Sequence, residues 1–163
     1  MADSLKNLLL AQDLGAKSES YYCKTAFIVI DDATIAWLKE KLQTTPGNTV
    51  RICLHQDAAA PFHEMLIAHK RAGDFRPHKH PAKSESYHVI EGRLRVNRFD
   101  NDGKLVSTLV LGPKGSGGAF MHRIPANTWH STEPEGEYVV FHESKLGPFV
   151  DGDNVYPDWK PGR

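Results

Sequence analysis

Little in this chain is present in excess, and the shortages exclude whole classes of function. Only two cysteines, Cys23 and Cys53, occur in 163 residues. They are too few and too far apart for a disulfide framework or a zinc ribbon, so both read as reduced thiols in a cytoplasmic protein. Lysine plus arginine equals aspartate plus glutamate at 20 each, so the formal net charge is zero. No block of like charges stands out either, so neither a nucleic-acid partner nor a membrane partner is expected. The run Leu8-Leu9-Leu10 is far too short for a signal segment or a membrane span. What remains is ordinary: 40% hydrophobic and 25% charged residues, enough for one soluble domain with one core.

Histidine, in contrast, is plentiful, with nine in the chain. Two of them open the segment His78-Lys79-His80-Pro81-Ala82-Lys83-Ser84-Glu85. Side chains at i and i+2 of an extended chain share a face, so His78 and His80 point the same way. If Pro81 to Ser84 turns the chain, Glu85 can begin a neighbouring strand and aim its carboxylate at the same point. Downstream, the expected strand Phe120 to Ile124 stops at Pro125-Ala126-Asn127. Asn127 tolerates positive φ, and a tight turn there sets His130, next to Trp129, in the returning strand as a fourth ligand. Three imidazoles and one carboxylate suit one divalent transition metal: Zn, Fe, Mn or Ni.

Around this segment the chain reads as helical at its start and β thereafter. Asp3 or Ser4 is placed to cap a helix running to Leu14, Lys24 to Ile30 reads as a strand, and Asp31 or Asp32 caps a second helix through about Gln43. From there only strands are expected: Val50 to Leu54, His63 to His69, Ser86 to Glu91, Arg93 to Phe99, Lys104 to Leu111, Phe120 to Ile124, Thr128 to Thr132 and Glu137 to Glu143. Asp102-Gly103 joins two of these as a hairpin. Many short strands with turns between them favour a jelly-roll barrel over a βαβ arrangement. The expected organisation is one structural domain: a helical and strand extension over 1–48, a barrel over 49–145 and a tail over 146–163.

The metal segment resembles the first motif of the cupins in the order Gly73, His78, His80, Glu85, Gly92. Gly118, Pro125 and His130 are similar to the second. The spacer after Gly73 is one residue short and that after Gly118 one long, Asn127 stands where glycine is usual, and Pro134 where a later asparagine would fall. A closer resemblance spans most of the chain. Arg51 to His55, His63-Glu64-Met65, Pro77 to His80, Glu85, the turn Phe99 to Gly103, Arg123-Ile124-Pro125, Trp129-His130, Phe141-His142-Glu143 and Gly147-Pro148-Phe149 look like the WbuC-type cupin-fold metalloproteins. That resemblance implies a mainly β fold, the cupin double-stranded β-helix, with a short helical N-terminal segment. It also implies a metal on His78, His80, Glu85 and His130, and a setting in polysaccharide or O-antigen biosynthesis. It names no substrate.

Further residues are candidates for the lining of the pocket. Tyr87 shares alternation parity with Glu85, so its hydroxyl faces inward, either to donate a proton to a substrate or as a core tyrosine. His63 and His69 end one face of the strand before the histidine pair, each either a structural histidine or one that faces the metal ligands or a substrate; His63 is the candidate second catalytic group. Arg76 and Arg123 precede Pro77-His78 and Ile124-Pro125, where a guanidinium suits a carboxylate or phosphate, as on a sugar nucleotide. The expected activity is isomerase- or epimerase-like, or dioxygenase-like, on a carbohydrate or other small oxygenated metabolite. A non-catalytic saccharide-binding or accessory module with a structural metal is the alternative. A homodimer is expected, with the tail or the first strand covering a sheet edge. Finally, Ala16-Lys17-Ser18-Glu19-Ser20-Tyr21 recurs as Ala82-Lys83-Ser84-Glu85-Ser86-Tyr87. The earlier copy lacks the histidines, which implies a single metal site.

Overall fold

A computed structural model describes residues 3–71 and 75–160. The order of elements is β1 (Asp3–Ser4), β2 (Leu9–Gln12), β3 (Glu19–Cys23), α1 (Asp32–Thr44), β4 (Thr49–Cys53), β5 (Phe62–Lys70), β6 (Glu85–Phe99), β7 (Leu105–Leu111), β8 (Met121–Ile124) and β9 (Trp129–Leu146). Among the described residues the strands form one sheet in the order β1-β2-β3-β4-β5-β9-β6-β7, with β8 pairing β6 from the side. All pairings are antiparallel except β3 with β4. This is the jelly-roll barrel of a cupin.

Two long strands close the barrel. The first half of β6 pairs the end of β9, from Glu85 opposite Lys145 to Val89 opposite Phe141, and its second half pairs the start of β9, from Leu94 opposite Pro134 to Phe99 opposite Trp129. Register shifts between Val89 and Glu91 and between Gly92 and Leu94 change which side chains face inward. Glu85, Tyr87 and Val89 are buried before the shift, and Leu94 and Val96 after it. An extra residue in one strand bends it and increases its twist, which curls the sheet onto itself. Gly92 sits at the bend with φ +76°, and a Cβ built there would meet the Tyr138 carbonyl oxygen at 2.5 Å. Glycine is the residue this backbone accepts.

The sheet buries both faces over part of its width. Inside the barrel, Met65, Ile67, Tyr87, Val89, Leu94, Val96, Leu111, Ile124, Val139 and Phe141 form one core. On the outer face, Leu38 and Leu42 of α1 cover Leu10, Tyr21, Val50, Ile52, Leu66 and Ala68. Strands β4 and β5 therefore lie between two apolar layers, and Met65-Leu66-Ile67-Ala68 runs without alternation, as doubly covered strands do. Helix α1 starts where expected: the Asp31 side chain accepts from the Thr34 backbone N–H at 2.9 Å, and the chain leaves at Thr45 before Pro46.

Two expectations are corrected here. Residues 4–14 form no helix: Leu8 and Leu10 alternate into the outer core at 2% and 0% exposure while Leu9 lies 46% exposed, and β2 pairs with β3. Burial of alternate leucines against α1 outweighs helix propensity. Lys24 to Ile30 is not a strand either; the strand lies just before it, at Glu19–Cys23, and Phe27 is 84% exposed. Elsewhere the expected pairs Ser86 to Glu91 with Arg93 to Phe99, and Thr128 to Thr132 with Glu137 to Glu143, are each one continuous strand.

The tail folds back over the barrel. The backbones of Lys79 and Val155 exchange hydrogen bonds, Trp159 packs on Phe99 and Trp129, and Lys83 ties the tail down through the Asp153 carboxylate at 2.6 Å and the Pro148 carbonyl.

Candidate metal centre

His78 and His130 lie opposite each other in a two-residue bridge, each backbone N–H donating to the other's carbonyl at 2.9 Å. Lys79 points away and places its ammonium over the Trp129 ring at 4.6 Å, so His78 and His80 face the same side as their spacing requires. The turn that returns the chain to His130 carries Asn127 at φ 59°, and its N–H donates to the His80 carbonyl at 2.7 Å. Glu85 opens β6. The result is a cluster of His78, His80, Glu85 and His130 with one potential ligand atom from each within 4.8 Å of the others. Gly73 of the first motif falls outside the described residues.

The hydrogen bonds around the cluster decide which nitrogen is free. The Nδ1 atoms of His78, His80 and His130 face the carbonyl oxygens of Arg76, Asp153 and Thr128 at 3.3, 2.9 and 2.9 Å. A carbonyl only accepts, so each Nδ1 carries a proton, and in the neutral ring Nε2 keeps the lone pair. The Nε2 atoms of His80 and His130 nevertheless lie 3.1 and 2.7 Å from the Glu85 carboxylate oxygens, and both are buried without a hydrogen-bond partner. Lone pairs held that close to a carboxylate repel unless a cation, either a proton on the ring or a metal ion, stands among them. The donor set fits a divalent transition metal, and backbone carbonyls on the far side of the rings fix their orientation as metal-binding histidines require.

The electrostatics differ from residue to residue within the cluster. Burial, reinforced by His130, lowers His78 to about 4, so it is a neutral donor at physiological pH. For His80 burial acts downward, but the Glu85 carboxylate outweighs it and raises the imidazole. Burial acts upward on Glu85, yet the His130 and His80 contacts hold its carboxyl well below the ordinary range. Tyr87, 3% exposed, donates its hydroxyl to Glu85 Oε1 at 2.6 Å; burial and the Glu85 charge push it well above an ordinary tyrosine.

His78, His80 and Glu85 line a cavity of about 330 Å³. Arg76 stands at its mouth over the Tyr156 ring at 4.9 Å. Two other candidates lie elsewhere. His63 is not part of the cavity wall: it stacks flat on His55, centroids 4.0 Å apart. Arg123 is exposed and donates to the Ser84 hydroxyl at 2.9 Å, because its strand neighbour Ile124 takes the inward position. In their place the cavity is lined by Arg51, His69, Glu143, Lys145 and Asn154. The alternation of β4 does not reveal Arg51, since Val50 and Ile52 on the opposite face are also covered, by α1. The repeated hexapeptide has a local meaning: each copy opens a strand with glutamate at its first residue, and Tyr21 donates to Glu19 Oε1 at 2.6 Å as Tyr87 does to Glu85.

Barrel and quartet together define a jelly-roll protein that carries a metal-binding cluster. The family model described as a domain of unknown function, DUF6016, matches residues 30–111, half of the chain, and the chain belongs to that family. No curated protein matches the sequence significantly. Among solved structures, an oxalate decarboxylase studied for its substrate binding mode and reaction-specificity switch is similar at 19% identity over 69% of this chain and 29% of that one, with a TM-score of 0.50. KdgF from Halomonas sp. aligns at 16% identity over 66% of this chain and 86% of that one, TM-score 0.49. Bacillus subtilis oxalate decarboxylase, studied for its Mn(II) centres, aligns at 22% identity, TM-score 0.46, over 59% of this chain. This chain spans about a quarter of that enzyme's length, 24%. These likenesses concern the fold.

Proposed function

We propose that the protein is a metal-dependent cupin acting on a small oxygenated metabolite of carbohydrate type, in isomerase- or epimerase-like or dioxygenase-like chemistry. The observation that carries this reading is that three of the four cluster residues, His78, His80 and Glu85, line a polar cavity of about 330 Å³, a size suited to one small ligand. His78, His80, Glu85 and His130 would hold a divalent ion, which supplies Lewis acidity toward a carbonyl or hydroxyl oxygen. The chain's own groups do the rest. Tyr87, its proton committed to Glu85, orients the carboxylate and acts as a positioning residue. Arg76 screens the mouth, and the tail residues Asn154 and Tyr156 complete the wall. The resemblance to WbuC-type cupins supports a setting in polysaccharide biosynthesis, and the same reading takes the protein as a homodimer. A second reading, a saccharide-binding or accessory module with a structural metal, draws on the near-complete burial of His80, Glu85 and His130.

The two readings part on whether the metal accepts an outside ligand. In the Co(II)-substituted protein, glycolate and glycerate are expected to shift the visible absorption bands, and Tyr87→Phe to weaken that response while cobalt content stays at the wild-type level. A tetrahedral spectrum indifferent to both acids would leave the structural-metal reading standing in place of the first.

A further inference from the structure

We infer that Arg51 is the anchor of an anion subsite, and that the ligand of this cavity is a small hydroxy acid whose carboxylate lies on the Arg51 guanidinium. The inference rests on the reading of the cavity as an open small-molecule site and adds to it the charge of the ligand.

Thr49, Arg51 and Cys53 share one face of β4, and Cys53 belongs to the core inside the barrel, so Arg51 is directed into the interior. There it lines the same cavity as His78, His80 and Glu85. Its Nε is buried and has no hydrogen-bond partner, and among the described residues no carboxylate lies within ion-pair distance of its guanidinium. A half-buried guanidinium ordinarily has a carboxylate opposite it, because desolvation without a counter-charge is costly. Its neighbours inside the barrel do not supply one. His69 is lowered to about 3 by burial and by Arg51 itself, and donates to or accepts from Thr49 at 2.7 Å. Lys145 is already matched by Glu143 at 3.4 Å, and Glu85 is engaged with the histidines and Tyr87. With a divalent ion on the quartet the cavity carries a clear excess of positive charge; among the described residues the cations on its wall without an ion pair are Arg51 and the exposed Arg76, and of these Arg51 is the one directed into the barrel.

A carboxylate fits this vacancy in charge and shape, since the guanidinium presents paired N–H donors in one plane. A second atom specifies the rest of the ligand. Asn154 lines the same cavity, and its Oδ1 is buried and also lacks a partner; an amide oxygen accepts, so it asks for a donor such as a hydroxyl. Carboxylate and hydroxyl together make a hydroxy acid, of which sugar acids are the larger members.

The test is calorimetric titration of the full-length, metal-loaded protein with glycerate and with glycerol, its neutral counterpart, on the wild type, Arg51→Met and Arg51→Lys. Wild-type protein is expected to bind glycerate at least about tenfold more tightly than glycerol, the weight of a charge-assisted hydrogen bond. Arg51→Met should weaken glycerate by about 10- to 100-fold, with glycerol and metal content unchanged, and Arg51→Lys should recover part of the loss. A binding residue without a structural partner also predicts that Arg51→Met melts no lower than wild type. The inference is overturned if wild-type protein binds the two probes equally or binds no glycerate, an outcome independent of how the variants fold, or if Arg51→Met binds glycerate like wild type. Should acids still shift the Co(II) bands while Arg51→Met loses nothing, the open-site reading survives and the subsite alone falls; if no acid shifts them, both fall.

Discussion

Replacing His80 with alanine is expected to lower the metal content of the purified protein from about one ion per chain to well below half, with the barrel still folded by circular dichroism. His80 supplies one of four convergent donors and is itself held by the Asp153 carbonyl, so its loss opens the inner side of the quartet and leaves Glu85 with a single imidazole contact from His130. His63→Ala is the matched control. His63 is as buried as His80, at 4% each, but belongs to a stack with His55 outside the cavity, and its removal should leave the metal in place. Elemental analysis of the two variants side by side reads the contrast. Equal metal in both contradicts the ligand assignment.

Gly92→Ala should cost about 2–4 kcal/mol, a drop in melting temperature of about 5–15 °C for a domain of this size. Two effects add. Any L residue is strained at φ +76°, and the new methyl would meet a backbone atom, the Tyr138 carbonyl at 2.5 Å, rather than a side chain free to move. That carbonyl belongs to the paired β9 strand, so relief requires parting the ladder that closes the barrel. Gly117 separates the two contributions. It has φ +87° with nothing within 4 Å, so Gly117→Ala carries the strain alone, about 1 kcal/mol. Thermal unfolding of both variants is the measurement, and equal losses would mean that the close approach at Gly92 contributes nothing.

The metal quartet was legible because its signals are local. Alternation sets His78 and His80 on one side, and Asn127 at positive φ returns the chain for His130, each a matter of a few residues. The barrel strands were legible for the same reason, although Ser86 to Glu91 and Arg93 to Phe99 read as two because glycine marks both turns and bulges, and only the β9 ladder decides which. The start of the chain was not legible. Leu5, Leu8 and Leu9 have helical spacing, yet Leu8 and Leu10 are the pair that α1 buries, a fact fixed by an element more than twenty residues away in sequence. Arg51 was hidden by the same layer, since a strand covered on both faces shows no alternation. The tail has no periodicity to read. Its part in the site, the Asp153 carbonyl on His80 and Asn154 in the cavity wall, follows from a contact across some seventy residues.

The account stands most directly on the claim that three imidazoles bind one ion through Nε2 while their Nδ1 protons are held by backbone carbonyls. Proton NMR of the Co(II)-substituted protein reads this in one spectrum, because protons on the far nitrogen of a coordinated imidazole are shifted well outside the ordinary range by the paramagnetic ion. Three such signals that vanish in D₂O are the predicted result, falling to two in His80→Ala where any metal is retained. Absence of shifted exchangeable signals at full cobalt occupancy would contradict the central claim.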